Sequence, residues 1–271
     1  MHLVRCGSGD PILFIHGMPT NGRLWNGVIA RLCANYECFA VDLPGMGKTP
    51  RQPYGVDYLR QLAEQIDRIR VENGIDQWHV VGHDAGSAVA VHYAYYFQEH
   101  VACMALLAPA LFPELKPFYL LEALRKPILG EVLAPLIGPI FWKIAMRQAL
   151  ESTEESSQMI GDFHQPFSGF CGPWQFMRLL RWGKPASVLA EVPDLLPTLL
   201  MPTLIFHGSH DVAIPEAFAQ RASDLIPNSS MVTIESGHFI PLNQPEPVAM
   251  HLAEFFHHHS VPQISLAATF A

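Results

Sequence analysis

What most constrains this 271-residue chain is an alternation of short β-rich runs with segments of helical period. Ile12 to Ile15, Glu37 to Val41, Trp78 to Val81, Val101 to Leu107, Thr203 to Phe206 and Met231 to Ile234 are brief and apolar, as parallel strands covered on both faces are. His2 to Cys6 reads as one more strand at the start. Between the runs, Leu59, Leu62, Ile66 and Ile69 recur at three and four residues, and so do Val248, Leu252 and Phe255. That is the spacing of a helix with one buried face. The alternation predicts an α/β protein with a doubly wound, mostly parallel sheet.

The alternation stops between about Pro109 and Leu200, where no strand signal occurs and the residues are helical, apolar and punctuated by proline. We expect residues 1–109 and 201–271 to form the core and residues 110–200 a helical cap, or lid, inserted into it. The length suits one domain with an insertion. The longest apolar stretch, Val132 to Trp142, is eleven residues and is interrupted by Pro135, Gly138 and Pro139. A bilayer crossing needs about twenty apolar residues, so no membrane span is expected.

Composition narrows the partners. Hydrophobic residues make up 49% and charged residues only 15%, which predicts a large core. A formal net charge of −8, with no run of Lys or Arg, argues against nucleic acid or an anionic membrane and favours a neutral, apolar small molecule. Five cysteines, an odd number without CxxC spacing, read as free thiols in a reducing compartment. With no basic-then-apolar leader at Met1, a cytoplasmic location is expected, as a monomer or homodimer.

The chemistry is concentrated at strand ends. After Trp78 to Val81 comes Gly82-His83-Asp84-Ala85-Gly86, followed by a helical run of small residues. Glycines on both sides let the backbone turn tightly from strand into helix and leave Asp84 exposed at the apex, as in a nucleophile elbow. An aspartate there also suits a plain helix cap. Three further segments favour chemistry. Phe14-Ile15-His16-Gly17-Met18-Pro19 ends a strand in a turn whose N–H groups, at Met18 together with Ala85, suit an oxyanion. Asp211 follows a late strand, and His238, in Ser236-Gly237-His238-Phe239, follows the last one. A helix cap is the alternative for Asp211 and a core position for His238; His16 reads as structural, and His83 and His207 as neighbours of strand ends.

The order nucleophile, acid, histidine, with the strand pattern, resembles the α/β-hydrolase superfamily over essentially the whole chain. Asp in place of Ser at the elbow resembles its haloalkane dehalogenases and epoxide hydrolases. Pro19-Thr20 with Leu24-Trp25, Gly45-Met46-Gly47-Lys48-Thr49 and His83-Asp84-Ala85-Gly86-Ser87-Ala88 are similar to the dehalogenases. The His16-Gly17-Met18-Pro19 turn and the position of Asp211 are similar to the epoxide hydrolases.

The resemblance implies that Asp84 attacks saturated carbon to give an alkyl-enzyme ester. His238, oriented by Asp211, activates the water that hydrolyses it, and no metal or organic cofactor is needed. It also implies a leaving-group site, and here the sequence departs from both families. The core positions where dehalogenases carry halide donors are Met18 and Ala85, which have no side-chain donor. Trp142, Trp174 and Trp182 are candidate pocket-lining or substitute donor residues. Epoxide opening needs an acid, for which Tyr119 and His164 are the candidates. Epoxide hydrolysis to a diol is therefore the leading expectation and haloalkane dehalogenation the runner-up. An esterase, and a non-catalytic homologue that only binds an apolar ligand, are the further alternatives.

Overall fold

The computed structural model describes residues 1–53, 55, 57–116, 119–140, 142, 146 and 154–261. Seven strands form one sheet: β1 (His2–Gly7), β2 (Asp10–Ile15), β3 (Tyr36–Asp42), β4 (Trp78–His83), β5 (Val101–Leu107), β6 (Thr203–Gly208) and β7 (Ser229–Ile234). Their order is β1-β3-β2-β4-β5-β6-β7, with β1 antiparallel to β3 and every other pairing parallel. All seven coincide with the β-rich runs. The central strands are apolar without alternation because both faces are covered: Ile12 to Ile15 and Met104 to Leu107 are fully buried.

The helices follow from the crossovers. The chain leaves β2 for β3 on one side through α1 (Asn26–Leu32), then returns past β2 to β4 through α2 (Tyr58–Glu72) and on to β5 through α3 (Ala85–Tyr96). Right-handed crossovers in opposite directions put α1 and the pair α2/α3 on opposite faces. Accordingly α2 packs on α3, and α1 packs on the C-terminal helix Pro245–His258. The α2 stripe Leu59, Leu62, Ile66 and Ile69 is buried as its spacing predicts. In the C-terminal helix the fully buried residue is Phe256 rather than Phe255, because the seam there runs Val248, Leu252, Phe256 at four-residue steps.

Between β5 and β6 the described residues hold helices and no strand: α4 (Tyr119–Arg125), α5 (Leu129–Ile140), α6 (Glu154–His164), α7 (Gly172–Trp182) and two single-turn helices, α8 (Pro185–Val188) and α9 (Val192–Leu195). Three more follow: α10 (Glu216–Leu225), α11 (Ile240–Asn243) and the C-terminal α12 (Pro245–His258). The Arg125 guanidinium joins α4 to the end of α7 by donating to the carbonyls of Leu180 at 2.9 Å and Gly183 at 3.1 Å. Arg23 pairs with Asp162 and ties α6 to the turn that follows β2. Among the described residues, no helix is long and apolar enough to cross a membrane.

Strand order reverses between β2 and β4, whose C-terminal ends lie side by side. Open α/β sheets bind ligands in the crevice at such a switch point. The two turns singled out in the sequence, His16 to Pro19 and Gly82 to Gly86, leave the sheet there.

Candidate active site

The elbow is built by close packing. A Cβ on Gly82 would lie 2.8 Å from the Gly86 carbonyl oxygen and from Ser87 Cα. One on Gly86 would lie 2.5 Å from the Ile15 and His16 carbonyl oxygens. Only glycine lets α3 start this close to the ends of β2 and β4. Between them Asp84 takes φ 49° and ψ −123°, a conformation that costs a non-glycine residue roughly 1–3 kcal/mol and that packing must hold. Its amide donates to Leu107 O at 3.1 Å and its carbonyl accepts from Ser87 and Ala110, so neighbouring elements fix the strained residue.

The carboxylate of Asp84 is divided between two tasks. Oδ2 accepts the Met18 N–H at 2.9 Å, and the Ala85 N–H also stabilises the carboxylate. Oδ1 faces His238 Nε2 at 3.9 Å, too far for a direct hydrogen bond. His238 Nδ1 lies 2.9 Å from Asp211 Oδ2, and the other oxygen of Asp211 accepts the N–H groups of Ala213 at 2.7 Å and Ile214 at 2.9 Å. Asp211 therefore caps the turn at Ala213 and Ile214 rather than the helix after Pro215, which has no side-chain cap, and it holds the histidine as well.

The electrostatics follow from this burial and pairing. Burial raises the Asp84 carboxyl above its ordinary value, against the opposing pull of His238 and the Ala85 and Met18 N–H groups. Burial alone would lower His238, but the Asp211 hydrogen bond and the charges of Asp211 and Asp84 outweigh it and raise the imidazole. Burial alone would raise Asp211, yet the His238 hydrogen bond and charge and the two backbone donors bring it below the usual carboxylate range. Arranged this way, the imidazole keeps Nε2 directed at the space beside Oδ1.

Other histidines serve the scaffold. His16 is buried, and burial lowers it to about 4. Its neutral ring donates from Nδ1 to Gly17 O at 2.8 Å and accepts the Leu43 N–H on Nε2 at 2.9 Å, which pins the Met18 turn to the end of β3. His83, pushed down to about 3 chiefly by burial and then by the His238 charge, stays neutral. Its Nε2–H donates to the His238 carbonyl at 3.0 Å, so it orients the loop that carries His238. His207 is buried near the end of β6 and does not line the cavity.

A cavity of about 340 Å³ opens above Asp84 and is mostly apolar, lined by Leu59, Leu62, Met46, Phe176, Leu180 and Val188 among others. That volume lies in the range of small-molecule sites. Three sequence expectations are corrected here. Of the three tryptophans, only Trp182 lines the cavity. Trp142 is packed against Phe167, Phe176 and His164, and Trp174 turns away to donate to the Glu131 carbonyl at 3.0 Å. His164 is not on the cavity either, because its ring is taken up against Trp142 at 5.1 Å. Tyr119 begins α4, and its side chain lies outside the described residues.

Among the cavity residues that the sequence did not single out are Tyr58, Lys116 and Arg125. Tyr58 is buried at the start of α2, and its ring meets Trp182 edge-on at 4.3 Å. The only sequence signal for it was its place one residue ahead of the Leu59/Leu62 stripe. Among the described residues, no group of three or more His, Cys, Asp or Glu side chains is placed to hold a metal ion.

The family model described as "alpha/beta hydrolase fold" matches residues 10–134. An uncharacterized protein of Mycobacterium tuberculosis is 29% identical over 254 residues, which span 86% of this chain and 71% of that one. A soluble epoxide hydrolase of a Corynebacterium species is 36% identical over 95 residues, 35% of this chain and 33% of the enzyme. A pimeloyl-[acyl-carrier protein] methyl ester esterase of Vibrio vulnificus is 25% identical over 260 residues, 94% and 97% of the two chains. Among solved structures, a haloalkane dehalogenase variant from Bradyrhizobium elkanii superposes with a TM-score of 0.78 at 21% identity, covering 94% of this chain and 92% of that one. The epoxide hydrolase CorEH does so with a TM-score of 0.76 at 21% identity, covering 95% and 94%. Taken with the reversal of strand order and the turns that meet there, these matches show that the chain has the α/β-hydrolase fold.

Proposed function

We propose that this protein is a hydrolase in which Asp84 attacks a saturated carbon and His238 then hydrolyses the resulting alkyl-enzyme ester. One observation carries the reading. The N–H donor of Met18 is already occupied by the nucleophile's own Oδ2 at 2.9 Å. In a serine hydrolase such donors wait for an oxygen of the substrate. For an ester of Asp84 the oxygen that becomes negative when water attacks Cγ is Oδ2 itself, and it sits where the donors can stabilise it.

The steps balance as follows. Oδ1 attacks the electrophilic carbon, the bond to the leaving group breaks, and Asp84 becomes an ester. The 3.9 Å between His238 Nε2 and Oδ1 leaves the imidazole free to take a proton from water, which adds to Cγ. Collapse breaks the Cγ–Oδ1 bond, Oδ1 departs with the product, and the imidazolium returns its proton to that oxygen. Asp84 is left as a carboxyl group containing one oxygen from water, and the loss of its remaining proton, to solvent in dehalogenation or back to the acid that protonated the epoxide oxygen, restores the carboxylate.

An epoxide is the leading substrate class, and the product is a diol. Ring opening expels an alkoxide that needs a proton, and Tyr58 supplies a phenol on the cavity wall. Haloalkane dehalogenation is the second reading, favoured by Trp182, an indole on the same wall that is suited to a halide. The esterase reading is weaker because the donors are filled by Asp84. A non-catalytic binding role has no use for an Asp211–His238 pair aimed at a carboxylate.

The test uses the His238→Gln variant, which lacks the base for the second half-reaction. It is incubated with terminal epoxides and with bromoalkanes, and its intact mass is measured. Adducts on the Asp84 peptide from epoxides alone support the leading reading, and adducts from bromoalkanes alone replace it with dehalogenation. No adduct from either overturns carboxylate attack.

A further inference from the structure

We propose that the cavity binds substrates bearing an anionic group, typically a carboxylate on an aliphatic chain, with that group held by Lys116 and Arg125. This rests on the cavity above Asp84 being the substrate site and goes beyond the choice of leaving group. The whole chain carries 25 acidic against 17 basic residues. The cavity reverses that balance. Among the described residues its only acid is Asp84, whereas both Lys116 and Arg125 line it. Net charge led to the expectation of a neutral ligand, but net charge reports the outer surface, and the cavity wall has the opposite sign.

The two cations differ in setting. Lys116 is exposed at the rim, has no ion-pair partner among the described residues, and follows Leu115 in the stretch joining β5 to α4. Arg125 is nearly buried, with 7% of its side chain exposed, and pairs with Glu122. Glu122 does not line the cavity and is 43% exposed, so of this pair only the positive member is on the cavity wall. Bonds to Leu180 O, Gly183 O and Glu122 use three of the five guanidinium N–H groups. Two remain for an oxyanion.

A carboxylate here would replace hydration with charge-assisted donors while its chain lay against Leu59, Leu62, Phe176 and Val188. A neutral chain would leave a desolvated cation without a new partner, and a cationic one would be repelled. The sorting is therefore for charge as well as length.

Binding of unreactive probes tests this independently of the chemistry. Calorimetric titration of the full chain with octanoate, octan-1-ol and octylamine should give at least tenfold tighter binding of octanoate than of octan-1-ol, with octylamine weakest. The octanoate advantage should shrink with added salt. Lys116→Met and Arg125→Met should each bring the ratio of octanoate to octan-1-ol affinity most of the way to one. Because Arg125 also joins α4 to α7, Arg125→Lys is the control that keeps the charge, and it should retain part of the advantage. Equal or tighter binding of octan-1-ol, no binding of any probe, or an advantage unaffected by Lys116→Met overturns the proposal. If octanoate is preferred as stated but no electrophile alkylates Asp84, the nucleophile reading fails and this one stands.

Discussion

Replacing Gly17 by alanine is the most informative single perturbation, because the methyl group would meet Asp84 before anything else. A Cβ at position 17 would lie 2.5 Å from Asp84 Cβ, 2.7 Å from Asp84 Oδ2 and 2.8 Å from His83 O. Carbon atoms rest at about 3.5–4.0 Å, so the Asp84 side chain must move by about 1 Å. The 2.9 Å contact from Met18 N–H to Oδ2 would then lengthen past hydrogen-bonding range. Loss of one oxyanion donor costs about 2.7–4 kcal/mol, or roughly 10²–10³ in kcat. That donor matters most when charge builds on Oδ2, during attack of water on the ester. Rapid-quench intact mass during turnover should therefore show a larger fraction of alkylated enzyme than in the parent. Steady-state kinetics with circular dichroism separate this from unfolding: overpacking of about 1–3 kcal/mol lowers Tm by several degrees and leaves the protein folded at 25 °C. A folded Gly17→Ala variant with kcat within about threefold of the parent would refute the role given to the Met18 turn.

Asp211→Asn keeps the shape of the site but removes the charge that fixes the His238 tautomer, and kcat should fall by about 10⁴, measured on any substrate that alkylates Asp84. A loss below tenfold would return Asp211 to a turn cap. In the pH profile, ester hydrolysis needs neutral His238, whose proton the Asp211 hydrogen bond and charge hold above the ordinary value of about 6.5 even when Asp84 is an uncharged ester. Activity should thus rise with pH through an inflection above 6.5, reinforced by the raised Asp84 carboxyl, which must be ionised to attack. An acid limb centred below pH 6 would contradict that arrangement.

The sheet was legible because parallel strands buried on both faces are apolar without alternation, so Ile12 to Ile15 or Val101 to Leu107 admit little else. The meeting of Asp84, Asp211 and His238 was legible for a related reason: glycines at 82 and 86 are required by backbone contacts, and Asp211 and His238 follow strands that end at the same edge. The cavity wall was not. Tryptophans 142, 174 and 182 have similar apolar surroundings in sequence, and only tertiary packing turns Trp182 inward, sends Trp174 to Glu131 and stacks Trp142 with Phe167. Tyr58 and Lys116 sit at element boundaries, where side-chain direction depends on what packs above them. His83 was known only as a strand-end neighbour, since its bond to the His238 carbonyl spans 155 residues.

The central claim is that oxygen reaches the product by way of Asp84. A single turnover in heavy-oxygen water, with enzyme in excess over a terminal epoxide, tests it directly by mass analysis of product and of the peptide containing Asp84. The account predicts unlabelled product in that turnover and one heavy oxygen in the Asp84 carboxylate. Label in the first product with Asp84 unlabelled would mean that water attacks the substrate itself, and would contradict it.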